Sequence, residues 1–165
     1  FGPSEEETST EELSRLDIWE FTIRNPIADH PFFGIGLGEG QYFSTMMRYG
    51  FYAIHGKWPL HNPHNSYLEI AVMAGCIALL VFLWIVGLVL MKNVSFIRRN
   101  PDNELSMILV SMTSGIVGFL SCILVDMQMF NLSVVPVFWV ILLLSFAITS
   151  SNPTDRKDPL MQKPN

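Results

Sequence analysis

The chain has 165 residues, half of them hydrophobic and only 15% charged, with a formal net charge of −5. An ordinary soluble domain carries roughly a quarter charged residues. The apolar surplus is confined to most of 67–149, after a polar and mixed first stretch of 1–66. That asymmetry argues against one water-soluble globule and for a membrane protein with a sizeable polar loop.

The chain opens Phe1-Gly2-Pro3, with no initiator Met and no basic-then-apolar leader. The expectation is therefore the C-terminal piece of a longer protein. The acidic opening, Glu5 to Glu12 interleaved with Ser and Thr, reads as a solvated loop. Ser9 with Glu12 fits a capping box. In the "EELSRLDIWEFTIR" that follows, Leu13, Leu16, Trp19 and Ile23 recur at spacings of three and four. They predict an amphipathic helix, which should stop at Asn25 because Pro26 disfavours the α conformation in the residue before it.

Gly34, Gly36, Gly38 and Gly40 alternate in "HPFFGIGLGEGQYF", but no window gives GxGxxG and no buried strand precedes them. A nucleotide loop is thereby set aside. The glycines predict a tight loop with backbone conformations and approaches closed to other residues. Residues 41–63 carry Tyr42, Phe43, Tyr49, Phe51, Tyr52 and Trp58 without clear periodicity. They are expected to form a loop packed on the membrane surface.

Three apolar segments follow: Leu68–Met91, Leu105–Val125 and Val134–Thr149. The first two have the ~20 residues needed to cross a bilayer, and the third approaches that length once Phe130 and Leu132 are added. Ala71, Ala74, Gly75 and Ala78 form a small-residue stripe that lets neighbouring helices approach closely. Cys76 and Cys122 lie inside apolar runs at no metal-binding spacing.

Basic residues set the orientation. Lys92, Arg98 and Arg99 lie between the first two segments, and Arg156, Lys157 and Lys163 lie in the tail. The connection after Val125 has none. The positive-inside rule puts 92–104 and the disordered tail 151–165 in the cytoplasm, and 1–66 and the short loop 127–132 outside. The spans become 67–91, 105–126 and 133–150. The outer part carries four basic against nine acidic residues.

The candidate chemistry lies at the outer mouth of the first span, in "HNPHNSYLE". His61 and His64 are spaced as HxxH, half of a metal site, and His30 and His55 sit at no diagnostic spacing. Three readings stay open on the residues alone: a metal site, a hydrogen-bonded loop, or a histidine acting as general base on a hydroxyl. Arg15 and Trp19 are helix neighbours four apart. The pair is either an arginine laid over an aromatic ring or a guanidinium fork aimed at phosphate, with Arg24 and Arg48 able to assist.

The order of these features resembles the O-antigen ligase and polymerase superfamily of bacterial envelope glycosyltransferases. The resemblance is carried by "SRLDIW", by "DHPFFGIGLGEGQYF" and by "HNSYLEIAVMAG" entering a membrane helix, and it covers residues 13 to about 149. It implies an all-α polytopic membrane protein, a glycosyltransferase-C-like fragment with an outward-facing loop (one amphipathic helix) followed by three transmembrane helices. It also implies transfer of a glycan from an undecaprenyl-pyrophosphate donor to a hydroxyl on a lipid or glycan acceptor, with inversion and without metal or other cofactor. The location would be the bacterial inner membrane, with the site facing the periplasm or outside.

His64 maps onto the family's general base and Arg15 onto its pyrophosphate-binding arginine. Asn65, Tyr67, Glu69 and Arg24 are the expected substrate-binding or base-orienting residues, while His61 shapes the loop and Trp19 packs. A further family arginine falls upstream of this piece, so the fragment is expected to be inactive alone. Nucleic acid is not an expected partner. The rival reading is a non-enzymatic transporter or flippase fragment, which predicts ionisable groups within the spans; Glu69 and Asp126 at span ends are what the sequence offers.

Overall fold

The computed structural model describes residues 15–38, 40–56, 58–126 and 133–151. The capping box at Ser9 and Glu12, Leu13, the 127–132 connection and the tail from 152 lie outside the described residues. Every regular element among the described residues is helical. The chain forms two compact units, 1–78 and 79–165.

In the first unit, α1 runs Arg15–Thr22. It buries Ile18, Phe21 and Thr22, whereas Leu16 and Ile23 are 67% and 50% exposed. The expected stripe is therefore the wrong face: Ile18, Phe21 and Thr22 also sit at three- and four-residue spacing, and they meet the core. Nor does the helix stop at Asn25. It widens into a π turn over Ile23–Ile27 with Pro26 inside, then continues through Ala28 and Asp29. In a π ladder the donor to the Phe21 carbonyl would be residue 26, and proline has no N–H. The Asn25 side-chain amide supplies one instead, at 2.9 Å from the Phe21 oxygen. A local side-chain donor thus carries the helix across a residue that ordinarily ends it.

Residues 41–63 are not simply a surface loop. They contain α2, Gln41–Arg48, and α3, Phe51–His55, entered through Gly40 and Gly50 in left-handed conformations. Tyr42, Met46 and Phe51 join Ile18, Phe21, Val72 and Met73 in one apolar core. Phe21 and Phe51 pack edge to face at 4.9 Å. Burial holds the Tyr42 hydroxyl well above the usual tyrosine pKa. The Thr22 hydroxyl donates to Ile18 O at 2.7 Å, so the 2.7 Å contact between Tyr42 and Thr22 has Tyr42 as donor.

The long α4, Ser66–Arg99, is broken at Gly75, whose φ of 90° and ψ of 164° lie outside any helix. The break frees the carbonyls of Val72 and Met73, which would otherwise accept from Cys76 and Ile77. The glycine loop takes them: Ile35 N–H donates to Val72 O at 2.8 Å and Gly36 N–H to Met73 O at 3.0 Å. In exchange, the Cys76 N–H donates to Pro31 O at 2.8 Å. Such approach needs glycine on both sides. A Cβ on Gly34 would lie 2.5 Å from Met73 backbone atoms, and one on Gly75 would lie 2.0 Å from Phe32 O. The small residue at 75 therefore admits a loop, where the sequence predicted a neighbouring helix.

In the second unit, the later part of α4 continues helical past Lys92 to Arg99, beyond the predicted end at Met91. Asn103 caps α5, Glu104–Cys122, through its side-chain oxygen on Leu105 N at 2.9 Å. Phe138 of α6, Val135–Ser151, stacks on Phe119 at 4.6 Å. The buried Asn93 amide donates to Thr113 Oγ1 at 3.2 Å. Outward side chains such as Leu80, Trp84, Val140 and Leu143 are apolar and exposed, as a lipid-facing surface requires.

Two helices, α4 and α5, are long and apolar enough to cross a membrane. α6 has 17 residues, about 25 Å of helix against a hydrocarbon core of ~30 Å. Phe130 and Leu132, which bring the third predicted span near the required length, lie outside the described residues.

Candidate active site around His64

The loop preceding α4 is shaped by two asparagines. Asn62 Oδ1 accepts from His64 N–H at 3.2 Å, closing a turn on the histidine. Asn65 Oδ1 accepts from the N–H groups of Tyr67 and Leu68 at 3.0 and 3.1 Å, capping the helix. Between them His64 adopts φ 49°, the single non-glycine residue with positive φ among those described. A left-handed conformation at a histidine costs of order 1 kcal/mol and persists only where the surroundings impose it. His64 is half-buried, while Asn65 and the adjacent Pro63 are buried.

A third restraint comes from across the unit. The Trp19 indole N–H donates to Pro63 O at 2.7 Å, joining residues 44 apart in the chain. α1 is thereby tied to the residue immediately before His64. Arg15, exposed at the start of α1, lies one helical turn from the tethering tryptophan. The sequence paired Trp19 with Arg15 but did not show the tether. The available signal was general: a half-buried indole seeks a partner for its N–H.

The other predicted residues are distributed as follows. Glu69 is buried, on the first turn of α4 after the cap, and its Oε2 has no hydrogen-bond partner among the described residues. Tyr67 is half-buried at the helix start. Arg24 is exposed and pairs with Glu20 at 2.9 Å; such a surface pair is worth less than ~1 kcal/mol and opens readily. Arg24 lines a shallow cleft of about 220 Å³ with Asp17, Glu20, Phe21, Asn25 and His55, to which neither Arg15 nor His64 contributes.

The histidines have separate surroundings. His55 packs against Phe51 at 4.5 Å and Phe21 at 5.8 Å, and His61 lies against Phe43 at 5.2 Å. Among the described residues, no three of His, Cys, Asp or Glu converge as a metal site.

The stretch of chain that includes His64 is similar to known proteins. The sequence model of the O-antigen ligase family matches residues 3–83. A Rickettsia conorii protein named "Putative polysaccharide ligase RC0486" is 39% identical over 79 residues, which cover 44% of this chain and 18% of that protein. The chain thus spans less than a fifth of that relative's length. No solved structure matches it.

Proposed function

The chain belongs to the O-antigen ligase family through residues 3–83, and on that premise we propose that the complete protein transfers a glycan from undecaprenyl pyrophosphate to an acceptor hydroxyl. His64 is the general base and Arg15 holds the pyrophosphate. The observation that carries this reading is the hydrogen bond from Trp19 to Pro63 O, which couples the arginine helix to the histidine loop.

The chemistry is a single displacement with inversion. The acceptor oxygen attacks the anomeric carbon while the bond from that carbon to the pyrophosphate oxygen breaks. The bonding electron pair leaves with undecaprenyl pyrophosphate, and the hydroxyl proton passes to a neutral His64 imidazole nitrogen. The guanidinium of Arg15 meets the charge that develops on the leaving group, so the reaction needs no metal. The site faces the periplasm or outside of the inner membrane, with the last helix as a third span. There a lipid-borne donor is reached from the bilayer and a polar acceptor from water.

Glu69, with its unpartnered oxygen, binds a glycan hydroxyl, and Tyr67 at the mouth of the helix packs on a sugar ring. Arg24 assists once released from Glu20. Asn65 has its side-chain oxygen engaged in the cap, so its part is to hold the His64 loop in place.

The test uses the complete protein in its host, with surface polysaccharide displayed on a gel at matched membrane expression. Arg15→Lys keeps the charge but loses the planar fork, and it is expected to abolish long surface chains. Accumulated lipid-linked polymer would identify a ligase, and chains cut to a single repeat a polymerase. Unchanged ladders for both Arg15→Lys and a His64 variant would sink the reading.

Trp19→Phe isolates the tether. It keeps the aromatic body and removes the donor, worth about 1 kcal/mol, so transfer should slow roughly fivefold if the loop's placement limits the rate. A wild-type rate would show that the tether positions nothing.

A further inference from the structure

Phe32 and Phe33, at the tip of the glycine loop, are 64% and 83% exposed, and Leu37 beside them is 72% exposed. Two adjacent phenylalanines left in water forgo about 1.5–3 kcal/mol each of burial. Their main chain lies against α4 at Gly75, where a Cβ would meet the Phe32 carbonyl, and the neighbouring Pro31 carbonyl accepts from Cys76 N–H.

The position of that contact along the candidate span indicates what covers the rings. Lys92 is the first charged side chain after Gly75. Counting ~20 residues back from it, the length that crosses the hydrocarbon core, reaches Val72. The loop is therefore pinned at the margin of the hydrocarbon region.

Non-helical backbone survives at that depth only if its polar groups are satisfied within the protein. The N–H groups of Gly34, Ile35 and Gly36 donate to the carbonyls of His30, Val72 and Met73 respectively, and Pro31 has no N–H to satisfy. The loop holds its inner side by main-chain bonds and turns the apolar side chains of Phe32, Phe33 and Leu37 outward. We propose that Phe32 and Phe33 form a membrane wedge, inserted among the acyl chains of the leaflet on the His64 side. This rests on α4 spanning the membrane and not on glycan transfer, so the two can fail separately.

The experiment places a nitroxide at Phe33→Cys in the complete protein with its native cysteines replaced by alanine, in vesicles of phosphatidylethanolamine and phosphatidylglycerol. Glu20→Cys on exposed α1 is the aqueous reference. At position 33, oxygen collisions should exceed those at position 20 several-fold, and collisions with a water-soluble nickel chelate should fall several-fold below. Nickel collisions equal to the reference would put the rings in water. Suppressed collisions with both agents would show another protein segment or a second copy covering them. Either result overturns the wedge. Should the cysteine-free protein fail to fold, p-benzoylphenylalanine at position 33 of the otherwise native protein reads the same question: phospholipid adducts support the wedge and protein-only adducts refute it.

Discussion

Gly75→Ala is expected to destabilise the first unit by several kcal/mol, lowering its unfolding temperature and the yield of folded protein. Two costs add. The conformation at φ 90°, ψ 164° is one that residues with a Cβ almost never adopt, at about 1–3 kcal/mol. The added methyl carbon would also lie 2.0 Å from the Phe32 carbonyl oxygen, so the loop must withdraw. Withdrawal loses the three main-chain bonds that join it to α4, each worth about 0.5–1.5 kcal/mol.

Gly87→Ala is the control. Gly87 lies in the continuous helical part of α4, and a Cβ there meets nothing within 4 Å. Alanine should be neutral or stabilise by ~0.5–1 kcal/mol. Opposite signs for the two substitutions, read by thermal unfolding in detergent, would support the docked loop. Equal tolerance would mean that α4 runs straight.

The second large effect is chemical. His64→Asn removes the imidazole but keeps a residue type that tolerates positive φ, so the loop conformation at φ 49° survives. If His64 is the general base, transfer should fall ~10²–10⁴-fold with unfolding temperature and membrane expression near wild type. Alanine at this position confounds lost chemistry with lost loop geometry. Activity retained in the asparagine variant would reduce His64 to a loop residue and return attention to the cleft beside Arg24.

Particular residues show how much the sequence reveals. The motif order carried the family, and the apolar runs carried the two spans of sufficient length. The helix through Arg15 and Trp19 was legible, but its buried face was not. Leu16 and Ile23 are more hydrophobic markers than Thr22, yet Thr22 is buried because Tyr42 offers its hydroxyl a partner. α2 and α3 were missed because two short helices bounded by glycines leave too few turns for a period to emerge. Pro26 misled because the rule it triggers is local, whereas the rescue by Asn25 depends on a π turn that no pattern announces. Gly75, inside an unbroken apolar run, looks the same whether it faces a helix or breaks one. At the site, residue types suggested His64 and Arg15, while the tether that couples their elements joins a side chain to a main-chain carbonyl and leaves no mark at position 63 beyond a proline.

The joint between the glycine loop and α4 has a consequence for comparing chains of this kind. Because it is built from main-chain donors and acceptors, it places little demand on the side chains at 32, 33 and 35 and constrains identity at Gly34 and Gly75, where a Cβ would collide, and at Gly36, whose φ of 97° favours glycine. Two chains can share the joint and differ at nearly every other position of both segments. Percentage identity would then understate their kinship, and glycines matching Gly34 and Gly36 in the loop and Gly75 in the helix would be the feature to search for.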